Sequence, residues 1–316
     1  KKKNLGLKTL IEINNIENNI TTYHLGYVLG PRINAGGRVG KSTHGANLLL
    51  NTNSQETFKI ASELNVYNKE RQILESDLLN KILNTDFKEK SDPVIILHGE
   101  NWHEGIIGII AARVKEKFNK PTIVISVTSG LGKGSCRSIY GFDIGSVVIG
   151  AVQSSILKKG GGHKMAAGFT INMDMINEFK EFVFKKFMSI NMNLEEKKNY
   201  YFDTEIAPSA VNIDFFEKVH LLAPFGSGNS EPRFIINNLK VLNSKIVGDK
   251  HIKSILLGSD STAIKTITFN SVGTELGSYL LKKNMKNFNI AGKLSLNEWR
   301  GQKNVEFIID DLSVIK

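Results

Sequence analysis

Between Ser54 and Leu83, apolar side chains recur at Ile60, Leu64, Tyr67, Leu74, Leu78 and Ile82, with charges of both signs between them and no Pro or Gly. Spacings of three, four and seven predict one long amphipathic helix. With Ser54 as its cap, about thirty residues rising about 1.5 Å each would span about 45 Å. That exceeds what one small domain requires, so the helix reads as a connector between two lobes. Asn65, Asn68 and Arg71 share part of one face and read as solvated.

After residue 93 the pattern changes. Short apolar runs at 93–97 and 122–126 read as strands, and the segment between them carries an apolar stripe of Ile106, Ile109, Ile110, Val114 and Phe118. This is a β-α-β unit. A strand bearing Ser135 and Arg137, a helix from about 143 to 157, a glycine turn and a helix near 174–188 complete an α/β domain. Past a polar, charged stretch around 191–199, apolar alternation marks five strands at 234–242, 251–257, 263–269, 288–296 and 305–309. Five strands suit a small barrel of the oligonucleotide-binding (OB) kind.

Glycine falls where chemistry is expected. Gly160-Gly161-Gly162-His163 predicts a turn whose amides converge as a nest for an anion. On the strand before it, Ser135 and Arg137 alternate and so face one side, offering a hydroxyl and a guanidinium fork to phosphate oxygens, and Ser138 follows. From 130 to 165 there are five Lys or Arg against one Asp, a local balance of +4. Upstream, five glycines and Pro31 between Gly26 and Gly40 predict an irregular loop displaying Arg32, Asn34 and Arg38. At the mouth of the first strand of the α/β domain, His103 and Glu104 read as polar residues entering a helix, with an acid–base pair or metal ligands as the alternative. In the barrel, Trp299 beside Arg300 offers a ring for a base and a cation for the backbone.

Composition narrows the class. The 316 residues are 41% hydrophobic, enough for two ordinary cores, and the net charge of +10 favours a polyanionic partner. The single cysteine, Cys136, excludes an intrachain disulfide and a cysteine zinc cluster and fits a reducing, cytoplasmic setting. The lysines at positions 1–3 lead an apolar run broken by Lys8 and Glu12, and no run approaches membrane-spanning length, so no membrane is expected. The sequence begins without Met, and a piece of a longer chain is expected.

Taken in order, the segments 29–38 (LGPRINAGGR), 102–108 (WHEGIIG), 134–138 (GSCRS), 160–168 (GGGHKMAAG) and 224–229 (PFGSGN) resemble the RecJ family of single-strand-specific exonucleases, within the DHH phosphoesterase superfamily. The resemblance implies that residues 1–52 end a DHH catalytic domain, 54–83 form the connector, 93–188 are the DHH-associated α/β domain and 200–316 the OB barrel. It implies 5′→3′ degradation of single-stranded DNA to mononucleotides in repair and recombination, with Mn2+ or Mg2+. It places Arg32 or Arg38, Asn34, Ser135, Arg137 and Ser138 on DNA phosphates, and Gly160, Gly161, Gly162 and His163 against the scissile one, His163 as the catalytic group. His103, Trp299 and Arg300 join the DNA-binding set. Single-strand-binding protein and a separately encoded DHH domain are implied partners.

The family's Asp-x-Asp and Asp-His-His metal ligands have no counterpart here, so this chain is expected to supply a 5′-phosphate clamp, a cleft wall and a barrel, and to be inactive alone. Ser230, where the family commonly has Pro, is expected only to loosen a turn. Three rivals stand beside this reading. One is a non-catalytic module that coats single strands. Another is a small-molecule phosphoesterase of the same superfamily, against which the barrel argues. The third is a phosphate-loop hydrolase, in which residues 35–42 would be the loop and Asp310, closing the run Phe307-Ile308-Ile309, would hold magnesium; a buried strand should precede such a loop, and Pro31-Arg32-Ile33-Asn34 makes a poor one.

Overall fold

The computed structural model describes residues 4–16, 20–84, 91–190, 200–282, 287–299 and 301–315. The chain forms two compact units, 1–195 and 196–316.

The first unit begins with helices. Helix α1 (Leu5–Ile13) is capped by Asn4, and a π-helical turn (His24–Leu29) runs directly into α2 (Gly30–Val39). The expected loop is therefore wrong: the glycines that suggested it are helical. Pro31 stands in the first turn of α2, where the π-helical turn passes into it, so the helix lacks one backbone donor at that junction. Gly36 is there for packing, since a Cβ would lie 2.6 Å from the Lys41 carbonyl oxygen. The phosphate-loop reading fails on the same ground, because most of residues 35–42 continue a helix with no strand before it.

Helices α3 (His44–Leu50) and α4 (Ser54–Asn84) follow. The cap of α4 is Asn53, not Ser54: its Oδ1 accepts from the Glu56 amide at 3.0 Å. The long helix joins two cores. Ile60, Ala61 and Leu64 pack with Leu10, Leu29 and Leu48, while Leu78 and Ile82 pack with β1 (Ile95–Glu100) and α5 (Glu104–Phe118). Its polar face is not solvated as expected: Asn68 is buried and holds Arg71, and Asn65 accepts from Arg32.

Strand β1 pairs in parallel with β2 (Thr122–Thr128) across the α5 crossover. The sheet then runs antiparallel through β3 (Leu131–Arg137). After α6 (Ile144–Gln153), β4 (Lys159–His163) forms the edge, and β5 (Ala166–Asn172) inserts between it and β3, giving the order β1-β2-β3-β5-β4. One face is covered by α6 and α7 (Ile176–Met188) over a core that includes Ile125, Cys136, Phe142, Phe169 and Phe179. The other face is covered by α5 along β1 and β2, where Ile106, Ile110 and Val114 meet Ile95, Leu97 and Val124.

The second unit is the expected barrel with additions. A short β6 (Thr204–Glu205) pairs in parallel with β7 (Phe234–Val247), and α8 (Ile213–His220) lies between them in sequence. Strands β8 (His251–Leu257) and β9 (Ala263–Thr268), helix α9 (Glu275–Leu281), and strands β10 (Phe288–Trp299) and β11 (Gln302–Val314) complete it. Five strands close a ring, β7-β8-β9-β11-β10, back onto β7. A register shift between Val241 and Asn243 bends β7, so that its first half pairs with β10 and its second with β8. Ile236, Leu239, Ile252, Leu256, Ile290 and Phe307 fill the interior. The loop at 224–229 is tight, with the Asn229 amide side chain donating to the carbonyls of Leu222 and Pro224.

Candidate nucleic-acid interface

Strand pairing sets the geometry of the glycine-rich segment, which is a strand and not a turn: the amides of residues 160–162 alternate in direction and do not converge as the expected nest. Arg137 on β3 stands opposite Ala166 on β5, which stands opposite His163 on β4; Ser135, Gly168 and Gly161 form the next such row. Residues opposite one another share a face, so Ser135, Arg137 and His163 look the same way across a strip holding only Ala166, Gly168 and Gly161. Two strand spacings, about 9–10 Å, separate Arg137 from His163.

Packing explains two of the three glycines and leaves the third for chemistry. A Cβ on Gly160 would meet Val148 at 2.6 Å, and one on Gly162 would meet the Ala166 carbonyl oxygen at 2.3 Å, so both allow close approach behind the strand. A Cβ on Gly161 would meet nothing, and one on Gly168 only the Gly134 carbonyl oxygen at 3.7 Å. Gly161 and Gly168 keep bare the floor between Arg137 and His163. His163 is exposed at its far side. The start of α6 lies behind it, for a Cβ on Gly145 would touch the His163 backbone at 2.9 Å. Asp143 caps that helix, and the Ser146 amide hydrogen bond holds its carboxyl below the usual range.

The near side is a wall of cations. The Arg137 guanidinium donates to Ser135 Oγ at 3.2 Å and to the Cys136 carbonyl at 2.8 Å. Gly108 of α5 lets the helix close on this pair, since a Cβ there would sit 3.0 Å from Ser135 Oγ and 3.1 Å from an Arg137 nitrogen. Arg38, in the last turn of α2, donates to the Gly105 carbonyl at 3.1 Å. Burial pulls its guanidinium below the ordinary value, Arg71 and Arg137 push the same way, and Glu75 opposes them. Glu75 is itself engaged by Arg71 at 2.7 Å and Arg113 at 3.4 Å. Among the described residues no ion pair involves Arg38 or Arg137. Two guanidiniums in no direct ion pair, over a bare strip, suit the oxygens of a phosphate.

The other sequence-predicted residues fall elsewhere. Arg32 turns inward, to Asn65 Oδ1 at 2.9 Å and the Val28 carbonyl at 2.7 Å, whereas Asn34 is exposed one helical turn from Arg38. Ser138 is buried and its hydroxyl donates to the Phe142 carbonyl at 2.6 Å, so it serves a loop and not the strip. His103 is the N-cap of α5, accepting from the Gly105 amide at 3.1 Å, and Glu104 pairs with Lys133 at 2.6 Å. Cys136 is fully buried and burial pushes its thiol up. Trp299 ends β10 opposite Gln302, while its side chain and all of Arg300 lie outside the described residues. Arg71 and Glu75 were missed as site members; their spacing of four on a helix was the available signal.

A second basic surface lies on the barrel. Lys245 on β7 stands directly opposite Lys253 on β8, and Lys265 on β9 is paired with Ile255, two residues along. Like charges set opposite one another cost stability. A cavity of about 290 Å³ opens among these lysines, Asn243, Ile255 and Glu306. Glu306 meets Lys253 at 3.3 Å, and no ion pair involves Lys245 or Lys265 among the described residues. Elsewhere, burial and the hydrogen bond to Asp310 push the Tyr200 hydroxyl up to about 12. Among the described residues no three His, Cys, Asp or Glu side chains come together to hold a metal ion, and no helix is long and apolar enough to cross a membrane.

Comparison with known proteins bears on the domains and the fold. A DHHA1 domain model matches residues 91–189 and a RecJ OB domain model residues 202–311. The single-stranded-DNA-specific exonuclease RecJ of Dickeya dadantii is 28% identical over 319 residues, covering 97% of this chain and 54% of its own length. That of Bacillus subtilis is 26% identical, covering 98% of this chain and 39% of its own. The chain thus spans about half the length, or less, of these relatives. The crystal structure of RecJ in complex with Mg2+ from Thermus thermophilus matches with a TM-score of 0.82 at 26% identity, over 99% of this chain and 47% of that one. A DHHA1 domain is thus followed by a RecJ OB domain, and along nearly its whole length this chain is similar to the RecJ exonucleases.

Proposed function

We propose that this chain is the carboxyl-terminal part of a 5′→3′ exonuclease specific for single-stranded DNA. In this reading Arg137, Ser135 and Arg38 hold the terminal 5′ phosphate, and the strip of Gly161, Ala166 and Gly168 receives the backbone that follows. His163 meets the next phosphate, the one to be cleaved, as hydrogen-bond donor or proton carrier. The observation that carries this is the strip itself, bare of side chains without a packing reason and bounded by unpaired guanidiniums on one side and an imidazole on the other. Fixing the end group at one side sets the first phosphodiester at a constant distance from it, which is what a stepwise exonuclease requires. The lysines at 245, 253 and 265 give the second unit its own contact with the backbone of a single strand.

RecJ of Thermus thermophilus has been crystallised with Mg2+ and with Mn2+. The described residues of this chain do not fit such an ion, since they bring no three ligand side chains together. The metal ligands are assigned to the remainder of a longer protein, and the chain by itself binds single strands, in a cytoplasmic setting, without cutting them. The test is an exonuclease assay in Mn2+ on 5′-phosphorylated single-stranded DNA, with binding followed in parallel, using the chain alone and then with a separately expressed DHH domain. Binding without cleavage, and cleavage on adding that domain, is the expected result. Cleavage by the chain alone, or no binding, overturns it.

A further inference from the structure

Between Arg137, at the end of β3, and Asp143, the cap of α6, the chain makes a short loop that carries Tyr140 with 93% of its surface exposed. The loop is held from every side except at that residue. The Ser138 amide donates to the Met165 carbonyl at 2.9 Å, the Ser138 hydroxyl to the Phe142 carbonyl at 2.6 Å, and the Ile144 amide to the Lys164 carbonyl at 3.2 Å. Phe142 is buried in the core, and Gly141 takes a φ of 93°, a conformation glycine adopts without strain. These bonds fix the loop to the turn that joins β4 to β5, directly after His163. A tyrosine on so firm a loop contributes no packing, and no hydrogen bond or ring contact involves it among the described residues. It stands three residues from Arg137, within about 10 Å even of extended chain.

A phosphate held by Arg137 carries its own sugar and base. The strip offers that base no side chain larger than Ala166, so the phosphate residues alone leave it in water. Tyr140 is the aromatic surface within reach: large, amphipathic and already ordered, so stacking on it costs little conformational freedom. We propose that Tyr140 is the stacking platform for the base of the first nucleotide, acting with Arg137 to seat the 5′ end. The proposal rests on the reading of the Arg137 site above. Stacking is sequence-tolerant, because every base has a π-face, so Tyr140 favours an intact terminal base without choosing among the four. A strand whose first nucleotide has lost its base is then a poor ligand.

The test is fluorescence anisotropy with short, 3′-labelled, 5′-phosphorylated strands whose first nucleotide is either dA1 or abasic, titrated with the wild-type chain, Tyr140→Phe and Tyr140→Ala. The wild type and Tyr140→Phe are expected to bind the abasic strand at least about fivefold more weakly, the lower end of what base–aromatic stacking supplies. Tyr140→Ala is expected to bind both strands alike, at the weaker level. Equal binding of the two strands by wild type overturns the proposal, as does a discrimination that survives in Tyr140→Ala. Wild type that binds neither strand removes the phosphate-site reading itself, and this proposal with it.

Discussion

The guanidinium of Arg137 donates to the hydroxyl of Ser135, two residues back on the same face of β3, at 3.2 Å. The pair faces a strip of sheet whose nearest positions, Gly168 and Ala166, lie opposite it on β5. Serine and arginine are thus held together before any ligand arrives, which reduces the ordering cost of gripping an anion.

The glycines separate function from packing. Gly161→Ala adds a methyl to open space and is expected to leave thermal stability unchanged while weakening binding of 5′-phosphorylated single strands several-fold. Gly162→Ala drives a Cβ to 2.3 Å from the Ala166 carbonyl oxygen and is expected to destabilise by about 1–3 kcal/mol. Thermal melts and a binding titration on both variants check this. Equal melting temperatures for wild type and Gly162→Ala, or equal affinities for wild type and Gly161→Ala, would refute the division.

Glu75 is the counter-charge of the cluster. With Arg71 and Glu75 only 13% and 14% exposed, Glu75→Gln leaves a largely buried guanidinium without its partner, at a cost of roughly 3 kcal/mol. For a unit of this size that is a fall in melting temperature on the order of 6–12 °C. The same change removes a negative charge that acts on Arg38. Affinity for single-stranded DNA at low salt, measured well below the melting point, is expected to rise. A stable variant with unchanged affinity would contradict both expectations.

How much of this could be read from the chain depends on what each residue answers to. The α4 helix and the five barrel strands follow from apolar periodicity, which depends on local burial. Ser135 and Arg137 were legible because alternation along a strand puts them on one face. The segment 24–40 was misread because glycine was taken as a breaker. In α2, Gly36 answers to a carbonyl of the following segment, and that contact is made only in the tertiary fold. The triple glycine was misread likewise, two of its members serving close packing behind β4. Arg71 looked solvated although its partners Asn68 and Glu75 lie on its own helix, because the burial of that face comes only from the elements that pack on α4 in the tertiary fold.

On the reading proposed above, the barrel lysines are a second, separate contact for the backbone of a single strand. Lys245→Gln and Lys265→Gln together are expected to lower the salt dependence of binding to a long single strand by about 1.4 units of log–log slope, roughly 0.7 for each lysine that meets a phosphate. Binding of a 5′-phosphorylated trinucleotide is expected to be unaffected. Salt titrations with the two ligands decide it, and an undiminished slope on the long strand would remove the lysines from the interface.

In the proposed reading Arg137 recognises a terminal 5′ phosphate. Equilibrium binding of one single-stranded oligonucleotide, 5′-phosphorylated or 5′-hydroxyl, to the wild-type chain and to Arg137→Ala tests it most directly. The wild type is expected to prefer the phosphorylated strand, and Arg137→Ala to lose about 1–3 kcal/mol of binding to it together with that preference. Equal affinity of the wild type for the two strands, or a preference undiminished in Arg137→Ala, would contradict the account.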